Sequence, residues 1–188
     1  NFPNEVIEAI RNNNLVVFTG AGASVDAPTS LPNFVDLTKK IAEGTGEILE
    51  DNDNCEVFLG YLKSKDIDVN RQAAELLSNK RLKYNQMHEA IINLFVDSSS
   101  IRIVTTNYDQ MFEKVLESRN LHIPVYNAPA LPLGNDVEGI VHVHGNINNP
   151  KYMVLTDEDF GKAYLTEGYA ARFLIKLFQS YTILFIGY

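Results

Sequence analysis

Four short apolar runs constrain this chain more than anything else in it: residues 15–20 (LVVFTG), 101–107 (IRIVTTN), 140–145 (IVHVHG) and 182–187 (TILFIG). All are rich in β-branched and aromatic residues, and the first and last are almost continuously apolar. Burial on both faces of a parallel sheet produces that pattern. A shorter candidate strand covers 122–126. Helical periodicities fill the intervals at 5–12, 34–42, 70–96, 108–119 and 168–180. The last of these places Tyr169, Phe173, Leu174, Leu177 and Phe178 on one face, with Phe173 and Phe178 expected in the core. Thr156-Asp157-Glu158-Asp159 has the form of a capping box that opens one more short helix. Strands alternating with helices predict an α/β fold with a mainly parallel sheet and helices on both faces. The stretch over 45–97 is long for a single crossover and is expected to form a small inserted helical subdomain.

Composition narrows what such a sheet serves. The chain has 188 residues, enough for one domain with an insertion. It carries 16 Lys+Arg against 24 Asp+Glu, a net charge of −8. That balance argues against direct nucleic-acid binding through a positively charged surface. Cys55 is the single cysteine, so neither a disulfide framework nor a cysteine-rich zinc module can be written in these residues. It lies in an acidic, polar stretch and reads as an ordinary thiol. No apolar run reaches the roughly 18 residues of a membrane span, and no signal peptide is visible. The expected setting is the cytoplasm, away from membranes. The chain starts without Met and stops inside an apolar run, which reads as a piece cut from something longer.

Three segments have residues suited to chemistry. Thr19-Gly20-Ala21-Gly22-Ala23-Ser24 follows the first strand. Small residues there allow a sharp turn and let backbone N–H groups approach a phosphate. Val25 stands where the dinucleotide fingerprint needs a third Gly, and no Walker lysine follows, so a plain strand-to-helix turn also accounts for it. Thr105-Thr106-Asn107-Tyr108-Asp109 closes the second strong strand, at the end where open α/β sheets bind ligands. Taken on its own, that cluster is better explained by capping of the next helix by Asn107 or Asp109. In His142-Val143-His144-Gly145, strand alternation would put both histidines on one face. No Cys or carboxylate cluster stands nearby to complete a metal site. His144, beside a Gly at the strand end, suits a general base, whereas His142 suits a hydrogen-bonded structural role. His88 and His122 have no motif around them.

Taken together in this order, the segments resemble the sirtuin-like family. The matching stretches are Gly20-Ala21-Gly22-Ala23-Ser24, Leu31-Pro32-Asn33-Phe34, Thr106-Asn107-Tyr108-Asp109 and Val143-His144-Gly145, with Phe185-Ile186-Gly187-Tyr188 similar to the start of the family's late nucleotide loop. The likeness is to the sirtuin-like domains of bacterial antiphage-defence proteins more than to the protein deacylases. Deacylases carry a four-Cys zinc module, Pro-Asp-Phe-Arg and Thr-Gln-Asn. This chain has Cys55 alone, Pro32-Asn33-Phe34-Val35 and Thr105-Thr106-Asn107. Its segment from Tyr152 to Phe160 resembles the defence branch.

The resemblance implies a Rossmann-like catalytic domain over 1–188, cut at its C-terminal end, that binds NAD as substrate and needs no metal or zinc. It implies hydrolysis of the nicotinamide–ribose bond to nicotinamide and ADP-ribose, or to a cyclic product, which depletes NAD in abortive infection. Asn107 and His144 are then the catalytic residues. Gly20, Ala21, Gly22, Ser24, Asn107, Asp109, His144 and Gly187 are the NAD-binding ones, with the diphosphate on the backbone of Gly20, Ala21 and Gly22 and a hydrogen bond from Ser24. Control by a C-terminal sensing region or a partner protein, or by assembly into a homo-oligomer, is implied as well. An NAD-dependent protein deacylase and a non-catalytic NAD or ADP-ribose sensor are the alternatives.

Overall fold

Alternation along the first strand organises the structure. Leu15 and Val17 enter one apolar cluster, while Val16 and Phe18 enter another on the opposite face. The computed structural model describes residues 3–78 and 81–188. Among them are strands β1 (Leu15–Thr19), β2 (Arg102–Thr105), β3 (Val125–Asn127), β4 (Gly139–His142) and β5 (Thr182–Ile186). They form one sheet in the order β3-β4-β2-β1-β5, and every neighbouring pair is parallel. Register is set by pairs such as Val17 with Ile103 on one side and Leu184 on the other. The third strand starts later than its sequence pattern, because Pro124 has no N–H to give to a ladder.

The helices among the described residues are α1 (Asn4–Arg11), α2 (Gly22–Val25), α3 (Phe34–Ala42), α4 (Cys55–Ser64), α5 (Val69–Leu77), α6 (Gln86–Ile92), α7 (Met111–Ser118), α8 (Asp157–Gly161) and α9 (Tyr169–Ser180). Val6 of α1, Ile91 of α6 and Phe112 of α7 cover one face of the sheet. Phe173 and Leu177 of α9 cover the other. The mainly parallel sheet with helices on both faces is therefore present, a Rossmann-like α/β arrangement. No helix among the described residues is long and apolar enough to cross a membrane.

A third core lies beside the sheet. Leu37 and Ile41 of α3, Leu59 and Leu62 of α4, and Ala73 and Leu77 of α5 pack together with Met153 and Leu155. The 45–97 stretch is thus divided by its packing: α4 and α5 join α3, while α6 belongs to the sheet. Cys55 is buried in this third core.

Several local expectations are corrected. The 70–96 periodicity breaks into α5 and α6, since Asn85 opens a new helix by accepting N–H bonds from Met87 and His88; residues 79 and 80 of that pattern lie outside the described residues. The 182–187 run does not form a strand buried on both faces. β5 is an edge strand among the described residues, with Phe185 56% exposed, and Phe178 of α9 is 49% exposed rather than in the core. Both rings lean on Phe18, Phe185 at 5.3 Å and Phe178 at 6.3 Å between centroids, and both remain partly exposed. At Thr156 the capping box forms as its sequence suggests, with reciprocal bonds to Asp159.

Candidate functional site

Strand ends place the polar segments together. A cavity of about 340 Å³ lies at the carboxyl edge of the sheet, where open α/β folds bind ligands. Its wall takes Ala21 and Ser24 after β1, Thr106 to Asp109 after β2, His144 after β4 and Tyr188 after β5. The far side comes from the helical unit: Leu31 to Phe34, Leu37 of α3, Glu56 of α4 and Leu77 of α5, with Phe160 of α8. Of the site residues named from sequence, Ala21, Ser24, Asn107, Asp109 and His144 line this cavity. Gly20, Gly22 and Gly187 stand behind its surface.

Those three glycines explain the shape of the wall. β5 continues its pairing past Ile186, so Gly20 N–H donates to the Ile186 carbonyl at 3.0 Å and Gly22 N–H to the Gly187 carbonyl at 2.9 Å. Gly187 has φ +80, and a Cβ there would sit 2.5 Å from the Ala23 nitrogen. The glycines serve close backbone approach. The N–H groups of Gly20 and Gly22 are thus partnered by the end of β5. Tyr188 then folds over the strand ends, with its hydroxyl donating to the Thr19 carbonyl at 3.3 Å and lying 3.2 Å from Thr106 Oγ1.

Ser24 sits at the centre of a buried network. Its hydroxyl donates to Asp109 Oδ2 at 2.9 Å and accepts from Asn107 Nδ2 at 3.3 Å. His88 Nε2 lies 3.1 Å away. His88 Nδ1 accepts the Asn85 N–H at 3.2 Å, so the ring proton is on Nε2 and is donated to Ser24. A hydroxyl has one proton and two lone pairs, and all are engaged here. Ser24 therefore ties Asp109, Asn107 and His88 together. Burial pushes His88 down to about 4, consistent with a neutral ring. Burial also raises Asp109, against the pull of its bonds from the Met111 N–H and Ser24. The bond to Met111, at 3.0 Å, is the capping role foreseen for Asp109.

Asn107 is fixed from three directions. Its N–H donates to Thr105 Oγ1, its Nδ2 donates to the Gly20 carbonyl at 3.0 Å and to Ser24, and its backbone carbonyl accepts from His142. The Gly20 carbonyl determines which end of the amide is nitrogen. Oδ1 is left as the acceptor that Asn107 offers at the cavity. Tyr108, next in line, donates to the Val154 carbonyl at 2.7 Å and anchors the loop after β4.

The two histidines do not share a face, contrary to the alternation expected from 140–145. β4 ends at His142, and Gly145 turns the chain with φ +76, where a Cβ would meet the Tyr152 carbonyl at 2.6 Å. His142 is fully buried, 2.7 Å from Glu113 Oε1 on α7 and 3.0 Å from the Asn107 carbonyl. Burial pushes it down, but the Glu113 carboxylate, the Asn107 carbonyl and the Asp109 charge together hold it above its ordinary value. His144 instead lies edge-on to Phe160 and Tyr164, with Nε2 2.7 Å from the Tyr164 hydroxyl. Burial pushes it down to about 4.

His88 and Tyr164 were missed by sequence reasoning. Both act across long separations, and neither stands in a local pattern that announces it. Among the described residues no group of three or more His, Cys, Asp or Glu side chains is placed to hold a metal ion.

Residues 101–188 match the model of the SIR2-like domain, the part that holds β2 to β5 and with them Asn107, Asp109 and His144. The whole chain is 32% identical over 212 residues to the uncharacterized protein y4cA of Sinorhizobium fredii (strain NBRC 101917 / NGR234), covering 17% of that protein. It is 25% identical over 193 residues to the NAD(+) hydrolase ThsA of Bacillus cereus (strain MSX-D12), covering 38% of it. The chain thus spans well under half the length of either relative. Its residues 101–188 are similar to a SIR2-like domain, and the chain as a whole is distantly similar to the NAD(+) hydrolase ThsA.

Proposed function

We propose that the cavity is the active site of an NAD glycohydrolase. It cleaves the nicotinamide–ribose bond, so that NAD and water give nicotinamide, ADP-ribose and a proton. The observation that carries the reading is the meeting of an acceptor amide oxygen, Asn107 Oδ1, and a neutral imidazole, His144, in one cavity at the strand ends. The distant relation to an NAD(+) hydrolase supports it. Nicotinamide leaves as a neutral group from a cationic pyridinium, so no acid is needed to expel it. The ribose acquires oxocarbenium character, as in other glycosidic cleavages.

Asn107 Oδ1 accepts a hydrogen bond from the attacking water, or from a ribose hydroxyl if the product is cyclic. His144 takes the proton. In the tautomer that donates Nε2–H to the Tyr164 hydroxyl, Nδ1 carries the lone pair that receives it. Asp109 acts through Ser24, and Ala21 brings the glycine turn against the dinucleotide. Gly20, Gly22 and Gly187 support that turn from behind. The domain works in bacterial antiphage defence by depleting NAD in the cytoplasm, under control of a sensing region, partner or oligomer outside this chain. The 45–97 stretch supplies part of the far wall.

The test is chromatography of NAD incubated with the full protein under activating conditions. Nicotinamide and ADP-ribose, or its cyclic form, should appear, and Asn107→Ala should abolish them while the protein stays folded. Tight NAD binding with no product would replace this reading with a sensor. Acetate released from an acetylated peptide only when NAD is present would replace it with a deacylase.

A further inference from the structure

Helix α6 carries a histidine that the reaction described above does not use. We propose that His88 is a positioning residue for Asn107, acting through Ser24, a role that rests on the site being an NAD glycohydrolase centre. His88 is fully buried, its ring edge packed on Phe112 with centroids 5.0 Å apart. A buried histidine needs partners for both nitrogens, and here each partner has a purpose. The Asn85 N–H at 3.2 Å fills Nδ1 and forces the proton to Nε2. Nε2–H fills one lone pair of Ser24 Oγ at 3.1 Å. Asp109 draws the Ser24 proton to its own side at 2.9 Å. With one lone pair filled and the proton direction set, a single acceptor direction remains on Ser24, and it receives Asn107 Nδ2.

The consequence falls on Oδ1 of Asn107. An amide is planar, so fixing Nδ2 between the Gly20 carbonyl and Ser24 fixes where Oδ1 points. Without the His88 donor, the Ser24 hydroxyl can rotate and Asn107 loses one of the two restraints on its amide. The α6 terminus is also latched to the glycine turn, since Asn85 Nδ2 donates to the Ala23 carbonyl at 2.9 Å and the Asp26 carbonyl at 3.3 Å. The direction of the catalytic acceptor thus depends on where α6 sits, although no atom of His88 lines the cavity.

The experiment compares His88→Phe and His88→Gln in the full protein, following nicotinamide release. Phe keeps a ring against Phe112 and removes both hydrogen bonds. Gln keeps an N–H donor at similar reach. Misplacing a reacting group costs rate without costing binding. The expected result for His88→Phe is a fall in kcat of about 10- to 100-fold with KM nearly unchanged, and recovery of most of that loss in His88→Gln. If His88→Phe does not fold, Ser24→Ala should show the same fall in kcat, and the double variant Ser24→Ala with His88→Gln should fall no further. Wild-type kcat in His88→Phe, or in Ser24→Ala, overturns the proposal while leaving the glycohydrolase reading intact. So does a loss in His88→Gln as deep as in His88→Phe. No nicotinamide from the wild-type protein is a different outcome: the glycohydrolase reading fails, and the positioning role falls with it.

Discussion

His142 and His144 are two residues apart, and the fold puts them in opposite chemical states. His142 is sealed beneath α7, with Glu113 on one nitrogen and the Asn107 carbonyl on the other. Both partners are acceptors, so the ring needs both protons and is held charged. His144 opens on the cavity among Phe160 and Tyr164, where nothing compensates a charge, and burial leaves it neutral. The same side chain is held between two acceptors at one position and left neutral at the other. What separates them is the end of β4 and the turn at Gly145, not any difference in local composition.

The comparison can be broken by substitution. His144→Ala should cost the largest effect, about 10²- to 10⁴-fold in nicotinamide release, with the urea midpoint close to wild type. An unaltered rate would remove His144 from the chemistry. His142→Leu should act chiefly on stability. It leaves Glu113 buried without its partner, and Glu113 Oε2 already lacks a hydrogen bond. A loss of about 3–5 kcal/mol is expected, read from urea unfolding. A midpoint equal to wild type would mean that the pair contributes nothing.

A smaller effect sharpens the contrast through pH. His142 is raised in the folded state, so its contribution is complete below the ordinary value of 6.5 and is lost as pH rises through the folded value. His144 and His88 are lowered to about 4. Their contribution is complete above 6.5 and is lost as pH falls towards 4, where the unfolded chain binds protons that the folded chain refuses. Urea midpoints measured from pH 5 to 8 should therefore show the His142→Leu deficit growing as pH falls and any His144→Ala deficit shrinking. Deficits that change with pH in the same direction would contradict the two assigned states.

Much of the fold was legible because the apolar runs are local signals. LVVFTG and IVHVHG read as strands, and both are strands in the sheet. Thr156 read as a helix start for the same reason, with a side-chain acceptor for the Asp159 N–H three residues on. What failed depended on neighbours distant in sequence. Phe178 and Phe185 have core-like side chains, but β5 lies at the sheet edge among the described residues. The 70–96 periodicity could not reveal that Leu77 and Ile91 enter different cores. At the site, Asn107, Asp109 and His144 stood out from the end of an apolar strand. His88 did not, because its meaning comes from Ser24, which is 64 residues away. That Gly20 and Gly22 donate to carbonyls at the end of β5 was not legible either, because those partners lie more than 160 residues away.

The most direct test of a neutral His144 at the reacting centre is the pH dependence of nicotinamide release from NAD by the full protein. The structure predicts a rate that does not fall between pH 8 and pH 5.5, because His144 stays unprotonated until about pH 4. A rate that falls on acidification with a midpoint near 6.5, the ordinary histidine value, would contradict it.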